Sequence, residues 1–288
     1  MRFIAEVCSN HNGDLDRAKA LIEAAKNAGC WGVKFQLFRI DQLFAPEILS
    51  HPNYQKLQVR RQWELPLEWL PVLAEFCRQQ GVKFGCTPFY LEAVAELAPY
   101  VDFFKIASYE LPWYPLLSKI LDTTHKPVIL SCGMATLEEI KRAVHYQIER
   151  NLDVEYRLSL LHCISRYPVK PEDCHLSFIT RLKSEINGKS KVGWSDHSVN
   201  PGVIYRAVHR YGAEIVEFHL DLDDGRGWEY GQGHCWLPGQ IAPVIQGVRD
   251  GVAADGGWHY KPTDAPDRDF RADPEDGLRP VKEIRRRL

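Results

Sequence analysis

No two cysteines in this chain are spaced as Cys-x-x-Cys. All eight stand singly, at Cys8, Cys30, Cys77, Cys86, Cys132, Cys163, Cys174 and Cys235, mostly inside apolar runs. That spacing argues against a zinc ribbon or a disulfide framework and for buried thiols in a reducing compartment. No block of basic residues appears before the last few positions, and the formal net charge is −2. Nucleic acid is therefore excluded as an expected partner. No apolar run approaches the length that crosses a bilayer, so no membrane partner is expected. The N-terminus enters Phe3-Ile4-Ala5-Glu6-Val7 directly, without a signal-peptide layout, and the expectation is a cytoplasmic protein. No GxGxxG opens the first unit, which weighs against a doubly wound dinucleotide-binding sheet.

What is present suits one large α/β barrel or two ordinary domains: 288 residues, 45% of them hydrophobic. Short apolar runs alternate with amphipathic segments along most of the chain. Runs begin at Phe3, Trp31, Lys83, Asp102, Pro127, Arg157, Lys191 and Ala213. Helical spacing follows each of them, as in Leu15, Ala18, Ile22 and Ala25 after the capping Asp14. Further helices are expected at Leu67 to Gln80, Leu91 to Leu97, Tyr114 to Leu121, Phe178 to Ile186, Pro201 to Tyr211 and Ile241 to Val252. Thr136 with Glu139 three residues on reads as a capping box, ahead of a buried stripe of Leu137, Ile140, Val144 and Ile148. Leu37 to Pro66 shows no clear period and reads as a lid or interface segment. Runs that are continuously apolar fit a parallel sheet covered on its outer face. Eight such units in about 250 residues predict a closed (β/α)8 TIM barrel over residues 1–254. Residues 255–288 form an irregular C-terminal tail, broken by Gly256, Gly257, Pro262, Pro266, Pro274 and Pro280.

The site candidates gather at the carboxyl ends of the predicted strands, where barrels of this type build their chemistry. His197 and His219 end two consecutive strands, so their imidazoles stand side by side as half of a transition-metal site. The same rim carries Glu6, Lys34, Gln36, Thr87, Lys105, Ser108, Glu110, Ser131, Ser165, Tyr167, Ser195, Asp196 and Glu217. Two lysines and several hydroxyls converging on one space suit a small, densely anionic ligand. Burying an unpaired ammonium is costly, so a purely structural alternative pairs Lys34 and Lys105 with Glu6 and Glu110. A Schiff-base aldolase using one of these lysines is a second alternative. A non-catalytic barrel that binds a sugar or phosphorylated metabolite is a third.

Seven motifs then occur in one order. They are Ile4-Ala5-Glu6 with Asn10-His11-Asn12-Gly13, Val33-Lys34-Phe35-Gln36, Thr87-Pro88-Phe89, Lys105-Ile106-Ala107-Ser108, Ser131-Cys132-Gly133-Met134-Ala135, His162-Cys163 with Tyr167-Pro168, and Ser195-Asp196-His197. In these the chain resembles the N-acetylneuraminate (sialic acid) synthase family. The resemblance implies condensation of phosphoenolpyruvate with an N-acylated aldose, release of phosphate, and a nonulosonic acid as product. It implies that Lys34, Thr87, Lys105, Ser108, Ser131 and Ser195 hold phosphoenolpyruvate, with Asp196 in the same substrate-binding stretch. It implies that Gln36, Ser165 and Tyr167 face the sugar, that Glu110 handles water or protons, and that Glu6 supports the site. His197 and His219 would hold a divalent metal, Mn²⁺ first, with Mg²⁺ or Co²⁺ as other choices. The family's habit suggests a homodimer.

Two departures from the family pattern fall on the sugar side. Members carry Gly-Pro-Asp-His after the last barrel strand, and its Asp contacts the sugar; here the stretch is Gly231-Gln232-Gly233-His234. The acidic, aromatic segment Asp221 to Tyr230 is a candidate substitute, or a solvated loop. No counterpart is expected for the C-terminal antifreeze-like domain that delivers an Arg to the partner's site; Arg271, Arg279 or the Arg285 cluster is the candidate replacement. The expectation is retained phosphoenolpyruvate chemistry with an altered aldose.

Overall fold

The structure, a computed structural model, describes residues 1–150, 157–186, 190–256 and 268–287; the side chains of Ile148 and Arg150 also lie outside the description. Eight parallel strands run in sequence order: β1 (Arg2–Glu6), β2 (Gly32–Leu37), β3 (Lys83–Pro88), β4 (Phe103–Ile106), β5 (Val128–Ser131), β6 (Leu158–Cys163), β7 (Lys191–Asp196) and β8 (Ile215–Leu220). β1 pairs with β8 from Arg2↔Ile215 to Glu6↔His219, which closes the barrel predicted from the run pattern. A two-residue strand the sequence did not announce, β9 (Cys235–Trp236), adds to β8 at the rim through His219↔Cys235.

Helices cover the outer face, and their ends follow local chemistry. Asp14 accepts from Asp16 N (2.8 Å) and Arg17 N (3.2 Å) and so starts α1 (Leu15–Asn27). Gly81, at φ 72°, ends α2 (Trp69–Gln80) in the left-handed region that a side chain disfavours. The shell continues with α3 (Ala93–Leu97), α4 (Tyr114–Thr123) and α5 (Leu137–Arg150). The Thr136 capping box forms as expected, with Thr136 N donating to Glu139 Oε2 (2.8 Å) and Glu139 N to Thr136 Oγ1 (3.3 Å). Ile140 and Val144 are buried beneath it, while the expected fourth member, Ile148, lies outside the described residues. α6 (Phe178–Glu185), α7 (Pro201–Tyr205, continued by one π turn through Arg210) and α8 (Pro238–Ala254) complete the shell. The segment without a period, after Phe38, folds as short turns of helix and a 3-10 stretch, Pro52–Trp63, around a small cluster of Phe38, Ile40 and Trp63.

Strand alternation sorts the side chains. One parity faces the helices: Val33, Phe35, Phe84, Phe104, Leu130, Leu160, Trp194 and Phe218 join the main core with Leu21, Ile22 and Leu73. Each large side chain fully buried there contributes about 1.5–3 kcal/mol. The other parity fills the barrel in tiers. Ile4, Phe103, Ile129, Leu161 and Ile215 pack into an apolar floor. Three strands contribute glycine to that floor. A Cβ at Gly85 would overlap the Phe103 ring, and one at Gly193 would overlap the Ile215 carbonyl. Two residues further along each strand the sequence switches to Glu6, Lys34, Thr87, Lys105, Ser131, Cys163, Ser195 and Glu217. Two residues beyond that come Gln36, Gly133, Ser165, His197 and His219. The barrel thus has a greasy floor, a polar tier and a rim.

The chain divides into two compact units, Met1–Asp250 and Gly251–Leu288. Within the second, Asp273 accepts from Glu275 N (3.0 Å) and Lys282 N (2.7 Å), and Arg285 pairs with Asp276 at 2.7 Å. The helix breakers Gly257, Pro262 and Pro266 fall outside the described residues. Among the described residues no helix is long and apolar enough to cross a membrane.

Candidate active site

The polar tier is a charged cluster almost sealed from water. Lys34 and Lys105 are each 2% exposed, Glu6 1% and Glu217 5%. Lys34 pairs with Glu6 and donates to Thr87 Oγ1 (3.2 Å). Lys105 donates to Ser131 Oγ (2.6 Å) and to Ile106 O (3.0 Å), and lies 3.7 Å from Glu217 Oε1. Ser195 Oγ donates to the same Glu217 oxygen at 3.2 Å. The carboxylate paired with Lys105 is therefore Glu217, not the Glu110 that the structural alternative named. Burial pushes the Lys34 ammonium down to about 8; Glu217 opposes that and Lys105 reinforces it. Burial alone would raise Glu217, but Lys105, Lys34 and His219 together hold it below its ordinary value.

Internal pairing does not exhaust this space. Glu217 Oε2, Glu110 Oε2 and Ser165 Oγ are buried without a hydrogen-bond partner. An unmet buried acceptor or donor costs about 1–3 kcal/mol, so these three atoms call for a partner that the protein itself does not supply. Burial pushes Glu110 up to about 7, against an opposing pull from Lys105. Ser108 Oγ lies 3.1 Å from Cys163 Sγ and accepts from Gly133 N at 3.1 Å. A Cβ at Gly133 would stand 2.8 Å from Ser108 Oγ and 2.5 Å from Ser165 Oγ, so those hydroxyls crowd one bare stretch of backbone. Gln36 reaches Glu6 Oε2 at 3.5 Å.

Above the tier, the two expected imidazoles meet: the His197 and His219 ring centres are 5.4 Å apart. Each has its Nδ1 engaged, His197 with Ile164 O (2.8 Å) and His219 with Glu229 Oε2 (2.7 Å). Nδ1 bears the proton in both contacts when the ring is neutral, which leaves both Nε2 lone pairs free. Burial first, and the neighbouring His219 second, push His197 down to about 3, so its ring is neutral at physiological pH. Two imidazoles with anchored Nδ1 and open Nε2 fit a divalent first-row ion. The Tyr167 ring lies 4.1 Å from that of His197 and closes one side of the pair.

The rim is completed by two residues that the sequence singled out only as parts of longer stretches, Glu229 in the segment Asp221 to Tyr230 and His234 in Gly231 to His234. Glu229 sits between His219 and His234, whose Nε2 is 3.8 Å from Glu229 Oε2. Burial would raise the Glu229 carboxyl, but the charge of His219 and hydrogen bonds from His219, His234 and Cys8 hold it well below the usual range. The segment that carries Glu229 is anchored, although Asp223, Asp224, Arg226, Trp228 and Tyr230 are exposed. Glu229 N donates to Asn10 Oδ1 (2.8 Å), Trp228 N to Asn12 Oδ1 (3.2 Å) and Gly227 N to Asp221 Oδ2 (2.7 Å). Arg17 clamps Asp221 (2.5 Å) and Asp224 (3.1 Å), and Asp223 accepts from Gly239 N (3.3 Å). Every carboxylate of the segment has a protein partner.

One expected substrate residue is placed elsewhere. Asp196 is fully buried, and its carboxylate accepts from Trp194 Nε1 (3.0 Å), Trp236 Nε1 (2.9 Å), Ser198 Oγ (2.6 Å) and Val199 N (3.2 Å). It shares the outward parity of Trp194, so it ties the ends of β7 and β9 instead of facing the cavity. His162 also faces outward, between Phe178 and Trp194, with Nε2 2.9 Å from Cys174 O.

Comparison with known proteins adds a second line. The model of the NeuB family matches residues 21–260. The chain is 31% identical over 258 residues to the spore coat polysaccharide biosynthesis protein SpsE of Bacillus subtilis, covering 86% of this chain and 66% of that protein. It is 35% identical over 230 residues to the N,N'-diacetyllegionaminic acid synthase of Campylobacter jejuni, covering 77% of this chain and 67% of that one. The crystal structure of an N-acetylneuraminic acid (sialic acid) synthetase from Leptospira borgpetersenii superposes with a TM-score of 0.77 at 29% identity, covering 92% of this chain and 88% of the other. The chain spans about two thirds of the length of the curated relatives it matches.

Proposed function

The chain belongs to the NeuB family, and on that premise we propose that it condenses phosphoenolpyruvate with an aldose, releasing phosphate and forming a 2-keto-3-deoxy sugar acid of the nonulosonic type. The observation that carries this reading is the stacking of two layers. Two buried ammonium groups among Ser and Thr hydroxyls lie beneath two imidazoles with free Nε2 atoms. Ammonium and hydroxyl donors suit phosphate and carboxylate; the imidazoles suit a divalent metal, with Mn²⁺ as the first choice. Charge counting supports the pairing. Lys34 and Lys105 face Glu6, Glu217 and Glu229, which leaves one net negative charge when the histidines are neutral. A dense anion binds such a space only in company with a cation.

The residues divide the work as follows. Lys34 and Lys105 bind the anionic ends of phosphoenolpyruvate, exchanging their contacts to Glu6 and Glu217 for the ligand's oxygens. Thr87, Ser108, Ser131 and Ser195 donate hydrogen bonds that fix its orientation, so that carbon 3 faces the aldehyde. His197 and His219 would hold the divalent metal, which when bound would supply Lewis-acid polarisation of an aldehyde oxygen. Glu110, with a pKa of about 7, takes a proton from the water that adds to carbon 2. The resulting tetrahedral adduct expels phosphate, and the lysines stabilise the departing charge. Gln36, Ser165 and Tyr167 line the sugar side. The stretch Gly231-Gln232-Gly233-His234 in place of Gly-Pro-Asp-His supports an acceptor different from that of relatives carrying the latter. A homodimer is part of the same reading.

The test is phosphate release from phosphoenolpyruvate by the purified protein with Mn²⁺, across a panel of aldoses. At least one aldose is expected to give stoichiometric release. Tight phosphoenolpyruvate binding with no release for any acceptor would favour the non-catalytic barrel instead, and a lysine adduct trapped by borohydride would favour the aldolase.

A further inference from the structure

His234 is 4% exposed, and its Nδ1 is buried without a hydrogen-bond partner. It stands beside the two imidazoles already assigned, with its ring centre 4.7 Å from that of His219 and 6.4 Å from that of His197. Its other nitrogen faces Glu229, which also grips His219 Nδ1. All three rings therefore have the same layout: one nitrogen directed at an oxygen of the protein, the other left open. We propose that His234 is a third ligand to the metal, and that Glu229 is the positioning residue aligning both His219 and His234. The proposal deepens the metal site of the reading above and rests on it.

The geometry sets the arrangement. An ion about 2.1 Å from an imidazole nitrogen lies about 3.2 Å from the ring centre, so rings at right to tetrahedral angles have centres roughly 4.5–5.3 Å apart. The 4.7 Å His219–His234 spacing falls inside that window, and the 5.4 Å His197–His219 spacing lies just outside it. With the wider 6.4 Å spacing, His197 and His234 would stand farther apart around the ion than either does from His219. Three imidazoles leave the remaining positions of a six-coordinate ion to substrate oxygens and water, which is what an aldehyde-polarising centre requires. A carboxylate behind two ligating histidines fixes their ring orientation and raises their basicity; losing such a partner typically weakens metal binding 10–100-fold.

One competing placement exists. A donor atom from each of His219, Glu229, His234 and Cys235 lies within 4.8 Å of the others. That set would put the ion on the Glu229 side, with Cys235 as a thiolate ligand. It would displace the His219–Glu229 hydrogen bond and leave His197 uninvolved.

Pulsed electron paramagnetic resonance of the Mn²⁺-loaded wild-type protein counts the coordinated imidazole nitrogens. Three are expected; two would overturn the proposal, with no variant needed. Chelator competition then gives Mn²⁺ affinities for folded variants. His234→Ala and Glu229→Gln should each weaken binding at least tenfold, with Cys235→Ser unchanged. Wild-type affinity in His234→Ala, or a thiolate charge-transfer band in the Co²⁺-loaded protein, would overturn it. Three coordinated nitrogens in a protein that never turns over phosphoenolpyruvate would sink the functional reading and leave this one standing.

Discussion

Replacing Glu110 by Gln removes a carboxyl whose pKa is about 7 in the fold, against an ordinary 4.5. Such a group destabilises the folded state at neutral pH. Below about 4.5 it is protonated folded or unfolded and has no effect. As pH rises toward 7 the unfolded chain releases the proton first, and stability falls. A difference of about 2.5 in pKa corresponds to a ceiling of about 3.4 kcal/mol. Glu110 is only part-buried by its exposure, so screening reduces this to roughly 1.5–3 kcal/mol. Glu110→Gln should therefore be more stable than wild type by that amount at pH 8, in denaturant unfolding with an unchanged m-value. At pH 4.5 the gap should shrink to a few tenths of a kcal/mol, about half a proton's worth of linkage. Turnover should move the other way. Wild type should show an acid limb in kcat/KM near pH 7, and the variant should lose it together with about 10²–10⁴ of its rate. A variant less stable at pH 8, or shifted equally at both pH values, would refute the account of Glu110 as a strained, functional carboxyl.

The floor of the barrel makes a packing prediction: Gly193→Ala meets the Ile215 carbonyl and Leu161 and should cost about 3 kcal/mol or more, read as a fall in thermal midpoint. A silent substitution would mean the tiers are misplaced. Asp196→Ala leaves two buried indole N–H groups unmet and should cost about 2–5 kcal/mol of stability. If instead it raised the KM for phosphoenolpyruvate with stability unchanged, Asp196 would belong to the substrate after all. Lys105→Met should abolish phosphoenolpyruvate binding in calorimetry and, because it leaves the buried Glu217 carboxylate without its Lys105 partner, should also cost about 3–5 kcal/mol of stability. Dialysis against a chelator should stop phosphate release, and Mn²⁺ should restore it.

The barrel was legible because its signals are local: apolar runs of strand length, capping residues such as Asp14 and Thr136, and glycines closing the helices. The tier of Lys34, Lys105 and their hydroxyl neighbours was legible as strand-end chemistry. Which strand-end residues face inward was written there too, in steps of two from the floor. Counting those steps from Gly193 selects Ser195 and His197 and turns Asp196 outward; from Ile215 it selects Glu217 with His219. Glu229 and His234 left no such mark. They reach the rim on a loop without a period, held by Asn10, Asn12 and Arg17 from more than 200 residues earlier in the chain. Contacts of that separation are set by the closed topology, and nothing in the local sequence announces them. The polar turn Asn10-His11-Asn12-Gly13 is a case in point, since its work is to fasten the loop that delivers Glu229.

The most direct test of the central claim uses phosphoenolpyruvate labelled with ¹⁸O at the bridging oxygen, Mn²⁺, and the aldose that gives turnover. Addition of water at carbon 2 followed by expulsion of phosphate breaks the carbon–oxygen bond, so the label should leave in the inorganic phosphate. Label retained in the sugar acid would contradict the mechanism, and a folded protein that releases no phosphate with any aldose would contradict the function.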